Sequence, residues 1–380
     1  MVTSVLFGSG VSYISKIPGI KTITERIVSG ENIGRAADSI YYLNQGQDYL
    51  KHHVQENLVL IGYIKNDITS FYKKFDVEHD VNYEDIYYVL KQIKDSFSFE
   101  FENPAINCLI EKLQATEEFS GDKLQKIVNE TAKYIQSIVW QMISYRNFTA
   151  DQFDIVPKLI EELNLSTIIS LNHDLVLDTY LQKKGIEYDD GFKTIHYKYP
   201  QWVGFDNTDK RLKLYKLHGS VNWFEVAVLK PRRGEEILIL PNDIYIQAVH
   251  HEDEAFWGTL DGTPKLLIGT FNKMLGYLSD IFETLYDAFK IKLKESNVLL
   301  ISGYGFADKG INTQLSHWLN HESSYKMIII HPFKGELIKK SRGNFRLNLM
   351  NENSKHPKVE LIEKKFEEVT IEEILESINR

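Results

Sequence analysis

An apolar run, Val5-Leu6-Phe7, gives way at once to Gly8-Ser9-Gly10-Val11-Ser12. A short buried strand ending in a glycine turn constrains the fold of this chain more than any other feature. Without Cβ atoms, such a turn lets backbone N–H groups close on a phosphate. Nucleotide-binding α/β domains place this turn after their first strand. The two glycines stand two apart, but no third follows at the dinucleotide spacing and no Gly-Lys-Thr/Ser follows. Taken alone, the pentapeptide fits a nucleotide loop and an ordinary strand–turn equally well.

The rest of the chain falls into two zones. From about 24 to 165 the pattern is helical. Residues 47–75 carry Tyr49, Val54, Leu58, Leu60, Ile61, Ile64, Ile68 and Phe71 at helical spacing. Asn82 is placed to cap a helix through Ile86, Leu90 and Ile93, and 120–145 repeats the pattern. Thr149-Ala150-Asp151-Gln152 reads as a capping box opening one more helix that ends near Leu163. From Ser166 the period changes. Thr167-Ile168-Ile169, Leu212–Leu217, Glu236–Leu240, Val298–Ile301 and Met327–Ile330 are strand-length runs, with helices expected over 271–294 and 308–321. Continuous apolar strands alternating with helices predict a parallel sheet covered on both faces. The expectation is an α/β, Rossmann-like, mostly parallel sheet: residues 1–24 and 165–380 form that domain, and 25–164 form a large helical insertion subdomain.

Composition narrows the function classes. The formal charge is −9 and the pI about 5.8, so a chain-wide basic footprint for nucleic acid is absent, and nucleic acid is not expected as a partner. No apolar run reaches membrane-spanning length and no signal-peptide pattern precedes the first strand. A cytoplasmic protein is expected, with no membrane association. Cys108 is the only cysteine. It rules out a disulfide framework and a thiolate zinc site. Within Ala105–Ile110 it reads as a buried small hydrophobe.

Polar motifs recur where strands should end. After Ile168-Ile169 come Ser170-Leu171-Asn172-His173-Asp174, which suit a ligand crevice but also suit the cap of the following helix. After Leu214–Leu217 come His218-Gly219-Ser220. A histidine titrates near neutrality and is the commonest general base, though a lone one is more often a core or turn residue. After Val298–Ile301 come Ser302-Gly303-Tyr304-Gly305-Phe306, then Asp308 and Asn312. Each is commonplace alone. Together they mark one rim of one sheet.

The order of these motifs resembles the sirtuins, and most of all the bacterial sirtuin-like anti-phage defence proteins. Ile17-Pro18 also falls where sirtuins carry Ile-Pro. The resemblance covers 1–21 and roughly 165–335. It implies an NAD-binding Rossmann-like fold in which Gly8, Ser9, Gly10 and Ser12 line the pyrophosphate loop. By the same resemblance Asn172 contacts the ribose or positions a water, Asp174 holds the nicotinamide carboxamide, and His218 is the base. Gly303 and Tyr304 would lie by the adenosine half, with Asn312 also on the cofactor-binding side. Two departures matter. The four-cysteine zinc module of deacetylating sirtuins cannot be present, so no zinc is expected. Gly19-Ile20-Lys21 also replaces the Asp-Phe-Arg that follows Ile-Pro.

The resemblance therefore implies an NAD⁺ hydrolase acting in defence by NAD depletion, with Asn172 and His218 catalytic and NAD as substrate. It also implies a homo-oligomer and a possible HerA-type ATPase partner. The competing readings are a non-catalytic NAD or ADP-ribose sensor and a nuclease subunit of a defence complex. His250-His251-Glu252-Asp253-Glu254 reads as a solvated loop rather than a metal cluster. Lys339-Lys340-Ser341-Arg342 with Arg346 reads as a solvated helix face. The five tryptophans read as core.

Overall fold

A computed structural model describes residues 1–43, 51–77, 79–98, 103–144, 148–206, 208, 210–228, 234–241, 256–259, 262–269, 272–322, 324–350 and 358–380. Seven strands make one sheet: β1 Thr3–Phe7, β2 Leu165–Ser170, β3 Tyr188–Asp189, β4 Leu212–Lys216, β5 Val298–Ser302, β6 Lys326–Ile330 and β7 Val359–Ile362. Their order is β7-β6-β5-β1-β2-β4-β3, and every neighbouring pair is parallel. From β1 the chain winds outward through β2 and β4 on one side and through β5, β6 and β7 on the other. The direction reverses between β1 and β5, where doubly wound sheets open their ligand crevice.

The strands read as continuous apolar runs because both faces are covered. All five residues of β1, β4 and β5 are buried. Phe7 anchors one face, edge-on to Phe153 at 5.2 Å and to Phe366 at 5.0 Å between ring centroids. The register aligns the strand ends. Phe7 pairs with both Ser170 and Ser302, and Ser170 with Lys216. The loops that begin at Gly8, Leu171, Leu217 and Gly303 therefore leave the sheet at one level.

Between β1 and β2 lie the long helices Lys51–Lys73, Tyr83–Ser98 and Lys123–Ile143. Asn82 caps the second through its side chain, accepting from the amide of Glu84 at 2.9 Å. The third buries Leu124, Val128, Ile135, Ile138 and Val139 along its inner side. These residues join Val5 and Phe7 in one continuous apolar core.

Several local expectations are corrected. Thr149–Gln152 makes no capping box. Asp151–Phe153 is a 3-10 turn without a side-chain cap, and the helix begins at Val156 with Pro157 in its first turn. Gln152 is instead buried and donates to Ser15 Oγ at 2.7 Å and to the Val11 carbonyl at 3.1 Å. It ties the glycine turn to the insertion. Cys108 is exposed, not buried. Helix Pro104–Gln114 turns Ile106, Ile110 and Leu113 inward at i, i+4 and i+7, which leaves Cys108 on the outer face. The run Glu236–Leu240 falls in the strand Gly234–Ile239 up to Ile239, and that strand joins a separate antiparallel sheet rather than the parallel one. The helix expected over 271–294 is two, Asn272–Gly276 and Asp280–Glu295, broken around Tyr277. Of the tryptophans expected in the core, Trp140, Trp223 and Trp318 are buried, whereas Trp202 is only partly buried. Lys339, Lys340, Arg342 and Arg346 are exposed. Residues 47–50 and the stretch His250–Glu254 lie outside the described residues. Among the described residues no helix is long and apolar enough to cross a membrane.

Candidate active site

The glycine turn packs against the loop after β5, backbone on backbone. The Gly8 amide donates to the Ser302 carbonyl and the Gly10 amide to the Gly303 carbonyl, both at 2.9 Å. A Cβ on Gly8 would stand 2.6 Å from the Gly303 oxygen, and one on Gly10 would stand 2.8 Å from the Gly303 Cα. Gly303 itself has φ +68°, a left-handed conformation that glycine adopts freely. The glycines are thus needed where the two loops meet at the topological switch point. The backbone approach foreseen for a phosphate is here first an approach of chain to chain.

From Ser9 the chain makes a 3-10 turn, Ser9–Ser12, which buries Ser12. Asn172 Nδ2 donates to Ser12 Oγ at 3.1 Å. The Asn172 Oδ1 is buried without a hydrogen-bond partner, and so is Nδ1 of His173. Leaving a buried acceptor unpaired costs about 1–3 kcal/mol, so such an atom calls for a missing partner. Asp174 serves the helix expected of it: its Oδ1 accepts from the Val176 amide at 3.0 Å at the start of helix Val176–Lys183. Burial raises the Asp174 carboxyl above its ordinary range, against Lys216, the Val176 amide and Ser12, which pull it down. Lys216, itself buried, donates to the Asp174 carbonyl at 2.7 Å and pairs with Asp178 at 2.9 Å.

His218 lies one strand over and is 4% exposed. Its Nδ1 is 3.0 Å from the Leu171 carbonyl, the residue beside Asn172. A carbonyl only accepts, so Nδ1 carries the proton and Nε2 the lone pair. Nε2 is 2.7 Å from the Tyr277 hydroxyl and 3.4 Å from Asp308 Oδ2. Burial and the Lys273 charge push His218 below its ordinary value, opposed by Asp308 and Glu84. His173, with its ring centroid 6.0 Å away, is pushed well down by burial and by the His218, Lys273 and Lys216 charges. Both shifts favour the neutral form of the two rings.

The structure thus brings Ser12, Asn172, Asp174 and His218 to one rim, with Gly8, Ser9, Gly10 and Gly303 beside them. Tyr304 and Asn312 are turned to each other. The Tyr304 hydroxyl is 2.8 Å from Asn312 Oδ1, and Asn312 Nδ2 donates to the Phe306 carbonyl at 2.8 Å, so both side chains shape the loop after β5. Sequence reasoning missed Tyr277 as a neighbour of His218. It lies 59 residues downstream, inside what reads as one continuous helix, and no spacing rule links the two. Among the described residues no cluster of histidine, cysteine and carboxylate side chains could hold a metal.

Fold and rim together define a doubly wound α/β protein whose polar residues gather at the switch point. Residues 166–349 match the family model described as SIR2-like domain, and over that stretch the chain is similar to that family. No curated protein matches the chain in sequence. Among solved structures, a Sir2 homologue–NAD complex aligns at 11% identity, covering 100% of this chain and 89% of that one, with a TM-score of 0.40. A structure described as the basis for the mechanism and regulation of Sir2 enzymes aligns at 10% identity, covering 100% and 93%, also with a TM-score of 0.40.

Proposed function

We propose that this chain is an NAD glycohydrolase. It would transfer the ADP-ribosyl group of NAD to water, releasing nicotinamide, ADP-ribose and a proton. The observation that carries the reading is the unpartnered Asn172 Oδ1, buried beside Ser12 and next to the residue that anchors His218. It is an acceptor suited to a ribose hydroxyl or to a water held under the ribose. The SIR2-like match over 166–349 supports the choice of ligand.

Nicotinamide leaves a cationic pyridinium as a neutral molecule, so no general acid is needed. The protein must exclude water except the attacking one, hold the ribose, and offer a base within about 3 Å of the proton to be removed. Asn172 orients, and neutral His218 accepts the proton. Asp174, which interacts with Ser12 of that turn, would hold the nicotinamide end, while the Gly8–Ser12 turn and the Gly303–Tyr304 loop would take the pyrophosphate and adenosine. Hydrolysis is preferred to deacylation because the single cysteine cannot supply a zinc module. The setting we propose follows the resemblance: anti-phage defence by NAD depletion, in a cytoplasmic homo-oligomer with a HerA-type ATPase as candidate partner.

A second reading is a non-catalytic sensor of NAD or ADP-ribose. It is favoured by one observation, that both nitrogens of His218 already have partners. Chromatography of NAD incubated with the protein, alone and with the candidate ATPase, separates the two. The glycohydrolase reading expects nicotinamide and ADP-ribose in equal amounts, and a loss of about 10²-fold or more in Asn172→Ala and His218→Ala. Turnover unchanged in both variants refutes it. Tight binding without product in either condition selects the sensor.

A further inference from the structure

Asp308 divides its two oxygens between two tasks. Oδ1 caps helix Lys309–His321 by accepting from the Ile311 amide at 3.1 Å. Oδ2 faces away from the helix, 3.1 Å from the Tyr277 hydroxyl and 3.4 Å from His218 Nε2. All three side chains are buried. A cap needs only one oxygen and no charge, since asparagine serves as well. The second oxygen calls for another account.

Proton bookkeeping supplies one. With Nδ1–H held by the Leu171 carbonyl, neutral His218 leaves the single Tyr277 O–H proton between two acceptors, Nε2 and the carboxylate. When the ring takes a second proton the conflict ends: Nε2–H donates to the Tyr277 oxygen, and Tyr277 O–H donates to Asp308. Every donor then has an acceptor, and the imidazolium stands near a carboxylate. We propose that Asp308, acting through Tyr277, is a positioning residue that stabilises the protonated form of His218 and so makes this buried histidine able to accept a proton. An incoming hydroxyl that donates to Nε2 replaces Tyr277 there and lets Tyr277 give its proton to Asp308 alone. The proton passes from that hydroxyl to Nε2, and no other bond changes in this step.

The groups facing His218 come from four directions. Asp308 precedes helix Lys309–His321. Tyr277 and Lys273 come from the 272–279 segment, with Lys273 paired to Glu84 of the insertion at 3.2 Å. His173 follows β2. Burial and Lys273 oppose protonation, whereas Asp308 and Glu84 favour it. Asp308 is held down at about 2: burial would raise it, but His218, Lys273 and the Ile311 amide outweigh burial. The carboxylate is therefore charged throughout the range in which His218 titrates.

The inference rests on the proposed hydrolysis for its purpose, but its test does not need turnover. Asp308→Asn keeps a capping oxygen, removes the charge and replaces the second acceptor oxygen by an amide donor. The His218 ring resonance, assigned by its loss in His218→Gln, is followed by NMR against pH in the full chain. The expected midpoint in Asp308→Asn falls by about one unit or more, the shift typical of losing a carboxylate within about 4–6 Å. Lys273→Gln, which removes the opposing cation without touching the cap, should raise it. If Asp308→Asn leaves the midpoint in place, the proposal is overturned. Should that variant not fold, Tyr277→Phe decides by its kinetics with NAD. A fall in kcat of about tenfold or more with KM little changed supports the relay, and unchanged kcat overturns it. A wild type whose midpoint behaves as expected but which never cleaves NAD refutes the glycohydrolase reading and leaves the His218–Tyr277–Asp308 relay standing.

Discussion

Replacing Gly303 by alanine probes the contact on which the whole rim is built. Two costs should combine. The first is conformational: at φ +68° an L-residue is strained by about 1–2 kcal/mol. The second is steric: the new Cβ would stand 2.5 Å from the Val11 amide nitrogen and 2.7 Å from the Gly8 oxygen. Both obstacles are backbone, so no rotamer change relieves them, and overpacking of this kind costs about 1–3 kcal/mol. The total is about 2–5 kcal/mol. An unfolding entropy of about 2.1 cal/mol/K per residue gives about 0.8 kcal/mol/K for a chain of this length, so Tm should fall by about 3–6 °C. Gly121 supplies the control. It has φ +60° with nothing within 4 Å of its would-be Cβ. Gly121→Ala should therefore show only the conformational cost, a fall of about 1–3 °C. Scanning calorimetry on both variants isolates the packing cost as their difference. Equal losses would refute the claim that the two loops are held in contact by glycine.

The remaining predictions concern charge pairs, one buried and one partly buried. Lys213 and Asp189 pair at 2.6 Å with side chains 7% and 2% exposed. Lys213→Met strands the carboxylate and should cost about 3–5 kcal/mol in chemical denaturation, and the double variant Lys213→Met, Asp189→Leu should recover most of that loss. Arg35 meets Glu130 through two bonds, at 2.7 and 3.0 Å, and Tyr41 adds a third at 2.8 Å. Burial alone would raise the Glu130 carboxyl, but the Arg35 and Tyr41 hydrogen bonds outweigh it and hold it below its ordinary value. The stability it contributes is therefore present above the ordinary carboxylate range and lost as pH falls through the lowered value. Glu130→Gln should lose about 1–2 kcal/mol at pH 7 and show a shallower decline from pH 5 downward in urea titrations. An unchanged acid slope would contradict that role.

The rim was legible because its signals are local. Val5-Leu6-Phe7 running into Gly8, or Val298–Ile301 running into Gly303, needs only a few residues to declare a strand and the turn after it. Parallel pairing then places those ends together without further information. Two kinds of feature escaped. Face assignment on a short helix failed at Cys108, where Ile106 and Ile110 decided which side turns inward and the apolar neighbours of Cys108 gave the wrong impression. Long-range polar pairing failed at Gln152 and Tyr277. Gln152 looks like part of a local cap, yet its partners Val11 and Ser15 come from the first turn of the chain. Tyr277 looks like one more apolar position of a helix, and only the break after Gly276 turns it toward His218. Local hydrogen-bonding rules are blind to partners that tertiary folding brings in.

The position of β1 in the sheet has a consequence for the order in which the molecule can form. This strand leaves the ribosome before its neighbours, yet it lies between β2 and β5. Its first residue pairs with Leu165 on one side and with Val298 on the other. At about 5–20 residues per second, its second neighbour follows some 15–60 s after it. Throughout that interval the apolar segment Val5-Leu6-Phe7 has an open edge, a template for pairing with another chain. Contacts so distant in sequence also slow folding. The insertion helices, made in between and sharing a core with Phe7, are the first native surface available to cover it.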